Sequence, residues 1–126
     1  MYGTEVPPEK GDSGIDLQAA LAMAGGDMVL LRDLADAFLK EVPKLLHSLR
    51  MAVGQRDSEG LQTAAHQLQG VLRCLRIERA LEQSQHLELL GKGTTDWPAA
   101  EELLAAVTAT IHPAIDALKR FLSDRT

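Results

Sequence analysis

From Ile15 onward, apolar side chains return every three or four residues, in blocks separated by short runs of Gly, Asp, Thr and Pro. That spacing is the period of helices with one buried face. IDLQAALAMAGG predicts a short helix closed by Gly25 and Gly26, and Asp27 is placed to cap a longer one. In the longer segment Leu31, Leu34, Phe38, Leu45, Leu49 and Ala52 hold the period as far as Gly54. Pro43 lies inside it, removes one backbone hydrogen bond and predicts a kink. Asp57 caps a third helix that continues to about Leu75, with Glu59 near its positive end. A fourth runs from about Ile77 to Leu90 and is stopped by Gly91 and Gly93. TTDWPAAEELL restarts the chain, with Thr95 or Asp96 as cap and Pro98 in the first turn, and a last helix runs to about Leu122. Pro113 predicts a bend or a short break around His112. Long helices joined by tight loops make an all-α fold, an antiparallel up-and-down four-helix bundle with an additional short N-terminal helix. The folded domain is expected over 15–123. Residues 1–14, MYGTEVPPEKGDSG, carry Pro, Gly and charge without helical period and read as a flexible linker or an appended remnant.

Composition narrows the classes of function. At 126 residues, 45% hydrophobic and 25% charged, the chain is one soluble globular domain with room for one core. Aromatic residues are only 3%, so that core is aliphatic. A net charge of −5, with no Lys and Arg run interleaved with aromatics, argues against nucleic acid as a partner. The single cysteine, Cys74, has no partner for an internal disulfide and points to a reducing compartment, hence the cytoplasm. No apolar run reaches the roughly 18 residues a bilayer demands, so no direct membrane contact is expected. His47, His86 and His112 share no ligand spacing, so no metal site is expected. No Ser/His/Asp set, nucleotide loop or paired carboxylates mark an independent active site.

AAHQLQGVLRCL, residues 64–75, holds the most informative histidine. Projected onto a helix, Leu61, Ala64, Ala65, Leu68, Val71, Leu72 and Leu75 form the buried stripe. Gln62, His66, Gln69, Arg73 and Arg76 fall on the polar side, which presents His66 to solvent. Gly70 lies one turn beyond it. A mid-helix glycine destabilises by roughly 1 kcal/mol relative to alanine, so its place beside an exposed histidine suggests close approach by something else. Hairpin geometry about a turn at residues 76 and 77 sets His66 level with about residue 87. Glu88 is then a candidate to hold one imidazole nitrogen and leave the other free as a nucleophile. The same geometry across the Gly54 to Asp57 turn brings Lys44 and His47 to the border of the site.

This stretch resembles the active-site helix of histidine-containing phosphotransfer (HPt) domains, whose motif reads histidine, any residue, leucine, usually lysine, then glycine. IDLQAALAMAGGDMVLLRDLADAFLKEVPKLLHSL is similar to the family's opening helices, and ERALEQSQHLELLGKG to its fourth, so the resemblance covers about 15–122. It implies a phosphorelay intermediate. His66 would take a phosphoryl group from the aspartyl phosphate of one receiver domain and pass it to the aspartate of a response regulator. Gly70 would make room for the receiver, and Glu88 would orient the histidine. The domain would need no cofactor of its own, since the receiver brings magnesium. Its partners would be receiver domains, with Lys44, His47 and Gln62 as docking residues. The resemblance further implies a module of a bacterial hybrid sensor histidine kinase, a membrane sensor whose cytoplasmic end this would be, and a monomer when isolated.

Two positions depart from the family pattern. Gln69 stands where lysine is usual, leaving no cation beside the phosphoryl group, and Arg73, two turns along the face, is the residue placed to compensate. Arg76 stands where glycine often joins the third and fourth helices. A left-handed bend there would cost about 1 kcal/mol more with arginine, so a connection of another kind is expected. Two other readings stay open: a degenerate adaptor that docks receivers without carrying phosphate, motivated by Gln69, and an unrelated helical scaffold.

Overall fold

The computed structural model describes residues 15–124, and every regular element among them is helical. The expected linker, residues 1–14, lies outside the described residues. The elements are α1 (Leu17–Met23), α2 (Met28–Gly54), α3 (Ser58–Cys74), α4 (Glu78–Leu90) and α5 (Trp97–Ser123). Four of the five begin at an aspartate. Asp16, Asp27, Asp57 and Asp96 accept hydrogen bonds from the backbone N–H groups of Ala19, Leu30, Gly60 and Ala99 at 2.9 to 3.1 Å. Each satisfies a donor that the first turn leaves without a helical partner. Of the two caps expected for α5, Asp96 is the one used, and the Thr95 hydroxyl pairs instead with Ser58 at 3.1 Å. Helix α4 has no side-chain cap, and its start is fixed by burial of Ile77.

The long helices form a closed ring: α2 packs on α3 and α5, and α4 packs on the same two, while α1 leans chiefly on α2. Between them lies an aliphatic core in which Leu49, Leu61, Leu68, Leu72, Leu87 and Ile111 are fully buried. Burying a leucine is worth about 1.5–3 kcal/mol, enough to hold helices through positions that disfavour them. Proline is one such position. Helix α2 runs unbroken through Pro43, and α5 continues through Pro113 with no break at His112. Fully buried Ile111 and Ala114 flank Pro113 and keep both halves of α5 on the core.

The turns at either end of α3 are built alike, and the second differs from expectation. Arg56 and Arg76 both adopt left-handed backbone, with φ of 54° and 57°. Each allows the next N–H to reach back to a helix carbonyl, Asp57 to Ala52 at 2.8 Å and Ile77 to Leu72 at 3.1 Å. The connection at Arg76 is therefore the left-handed one that glycine would make easily, not another kind. Burial of Leu75 and Ile77 on either side holds it in place.

Candidate functional site

His66 projects from the middle of α3 with 73% of its side chain exposed, while Ala64, Ala65 and Leu68 beside it in the chain are buried. Going round the helix at about 100° per residue, Thr63, Gln67, Gly70, Arg73 and Cys74 join His66 on the open face. Val71 sits at the edge of the buried stripe and is half-buried. A Cβ added at Gly70 would meet nothing within 4 Å, so the chain's own packing does not require a glycine there. Gly91 is the opposite case. Its Cβ would come within 2.6 Å of the Gln62 side chain and 3.0 Å of the Ser58 carbonyl oxygen.

The expected partner from α4 is in place. Glu88 Oε2 lies 3.4 Å from Nδ1 of His66, an ion-pair separation at the long end of hydrogen-bonding distance. Its other oxygen, Oε1, accepts a 2.6 Å hydrogen bond from Nε2 of Gln69. Gln69 is not on the exposed polar side to which the helical projection assigns it: it is only 6% exposed. The cause is geometric. Three residues from His66 is about 60° round the helix towards α4, so the neighbouring helix covers what an isolated projection leaves open. The Glu88 carboxyl is held below its ordinary range, first by the Gln69 amide, then by His66 and, least, by Lys92, with partial burial opposing them.

Other expected residues fall into different places. Gln62 is half-buried and donates its amide to the Gly91 carbonyl at 2.6 Å, so it ties α3 to the loop after α4. His47 lines a surface groove of about 440 Å³ between α2 and α3, together with Met51, Gly60, Thr63 and Gln67. That groove adjoins the open face beside His66. Lys44 does not line it and faces Glu41 at 3.8 Å. Arg73 is exposed in the last turn of α3 and makes no ion pair among the described residues. Lys92, unremarked in the sequence, adds a positive charge near Glu88, and its spacing of four residues from Glu88 was the available signal. Among the described residues no group of three or more His, Cys, Asp or Glu is arranged to hold a metal ion. No helix of the described residues is long and apolar enough to cross a membrane.

The Hpt domain family model matches residues 33–121, which include all of α3 and α4. The chain belongs to the Hpt domain family. Hpt domains are phosphotransfer modules of two-component phosphorelays and work with receiver domains. No curated protein matches the chain. Among solved structures, the HPT domain from the Hpt sensor hybrid histidine kinase from Shewanella is similar in fold, with a TM-score of 0.81 over 92% of this chain and 99% of that one. Sequence identity between these two Hpt domains is 18%. The likeness is thus one of architecture, carried by helix packing while most side chains differ.

Proposed function

We propose that this Hpt domain carries a phosphoryl group on His66, taking it from a receiver-domain aspartate and passing it to the aspartate of a response regulator. The observation that carries the reading is the pairing of an exposed imidazole with a half-buried carboxylate on its Nδ1 side. With a proton kept on Nδ1 and facing Glu88, Nε2 keeps its lone pair and points away from the bundle. Nε2 attacks the phosphorus of the aspartyl phosphate, a nitrogen–phosphorus bond forms, and the bond to the carboxylate oxygen breaks with its electron pair. The ring becomes cationic, and Glu88 lies close enough to balance that charge. Transfer to the second aspartate reverses these changes.

Such a reaction asks for alignment and charge neutralisation more than for covalent help. In this reading the magnesium for the transfer comes with the receiver, and Glu88, whose Oε1 takes the Gln69 amide, serves the histidine. Gly70 leaves room for the receiver, and the groove containing His47 is the adjacent surface on which it docks. Arg73 is the exposed cation of the face, placed to meet phosphoryl oxygens or receiver carboxylates. The Shewanella structure comes from a sensor hybrid histidine kinase, which supports placing this domain as a module of such a kinase.

The test is transfer from a labelled receiver domain to the wild type and to His66→Gln. Acid-labile label on the wild type, absent from the variant, is the expected result. Receiver binding without label on either protein would overturn the reading for that receiver and leave an adaptor.

A further inference from the structure

Gln69 and Ser84 are the buried polar residues among those described, and they satisfy themselves differently. The Ser84 hydroxyl donates to the Leu81 carbonyl of its own helix at 2.8 Å. The Gln69 amide instead crosses from α3 to α4 and donates to the carboxylate that faces the reactive histidine. A buried amide demands a partner, but its own helix could not direct it to this one unless the two helices were packed here.

The result is a carboxylate held at one end and facing the histidine with the other. Oε1 of Glu88 takes the Gln69 amide at 2.6 Å, which turns Oε2 towards Nδ1 of His66 at 3.4 Å. Both α3 residues sit on one helix, three residues apart, so the amide and the imidazole meet the same carboxylate of α4. A neutral donor also differs in kind from a cation at this place. An ammonium group would pair with the carboxylate and draw off its charge, whereas an amide orients the carboxylate and leaves that charge for the histidine. The departure from the usual lysine is thus matched by the arrangement of Glu88.

Building on the reading of His66 as phosphoryl acceptor, we propose that Gln69 is a positioning residue: its amide N–H holds Glu88 in the orientation that keeps the proton on Nδ1 of His66 and leaves Nε2 as the nucleophile. Glutamine at this position thereby contributes to transfer without touching the phosphoryl group.

The experiment compares the wild type with Gln69→Met, which keeps length and apolar contact but removes the donor, and Gln69→Leu as a second packing solution. Long-range proton–nitrogen NMR reads the tautomer of the neutral His66 ring, and thermal melting verifies the fold. The wild type should hold the Nδ1–H form as its major tautomer. In a folded variant the ratio of Nδ1–H to Nε2–H should fall about fivefold, the usual weight of one hydrogen bond, and label uptake from a receiver should slow by a similar factor. An unchanged tautomer ratio in a folded variant would overturn the positioning role, and so would a wild type dominated by Nε2–H. Label uptake by the wild type tests the phosphotransfer reading separately, because the tautomer is measured without any receiver.

Discussion

The levels of His66 and Gly70 on α3 and of Glu88 opposite them on α4 were legible from spacing, because helix periodicity and a hairpin turn fix them to within about a residue. Gln69 was not legible. A helical projection cannot say how far the neighbouring helix wraps round the flank, and the amide facing Glu88 was read as a missing cation instead of a buried donor. At this scale Gly70 offers a sharp trade. Alanine there meets nothing within 4 Å and removes a mid-helix glycine, so Gly70→Ala should stabilise the domain by about 0.5–1 kcal/mol in chemical denaturation. It should also slow transfer from a receiver, because the added methyl stands on the approach side; equal transfer rates would leave the glycine without a docking role. Glu88 makes a pH prediction. Its carboxyl is held low in the folded state, chiefly by the Gln69 amide, so its stabilising contribution is present above the ordinary glutamate value of about 4.3. As pH falls through the lowered folded value, that contribution disappears. Melting curves of wild type and Glu88→Gln should therefore differ most near neutrality and converge once the pH lies below the lowered folded value; a gap that widens on acidification would contradict the sign.

Among the elements, the aspartate caps and glycine stops marked most helix ends in advance, since both act through bonds within four or five residues. Arg76 and Pro113 were harder, because what tolerates them is packing from distant parts of the chain. A non-glycine residue in left-handed backbone costs about 1–2 kcal/mol, yet Arg76 also faces Glu78 at 3.0 Å and sits between buried Leu75 and Ile77. Arg76→Gly relieves the strain but loosens the unfolded chain and loses an exposed ion pair, changes of about 0.5–1 kcal/mol each. The sum is close to zero. Arg76→Val keeps the strain and adds a branched Cβ, so it should destabilise by about 1–2 kcal/mol relative to the wild type. Urea denaturation of the three proteins should rank Gly and Arg together and Val below them. A Val variant as stable as the wild type would mean that the left-handed turn is not required.

For the molecule as a whole, the bundle was readable because its apolar period is strong and its loops are short; which flanking residues meet across helices was not, because periodicity carries no information on the closeness of packing. The ring of four helices keeps the work of folding in the aliphatic core and leaves His66 outside it. Stability and transfer are therefore separable by mutation. Leu72 is fully buried on α3, and Leu72→Ala should cost about 2–5 kcal/mol and lower the melting temperature by roughly 10 °C or more. Below that lower transition, the folded fraction should still accept phosphate at nearly the wild-type rate, since Leu72 faces the core and touches neither His66 nor the open face. His66→Gln should do the reverse, abolishing label uptake while the melting curve barely moves, because 73% of the side chain it replaces is in solvent. Measured together by calorimetry and receiver labelling, the two variants test whether the core serves the site only by holding α3 against α4. If Leu72→Ala lost transfer in its folded state, the core would also be tuning the distance between His66 and Glu88, and the two functions of the bundle would be coupled.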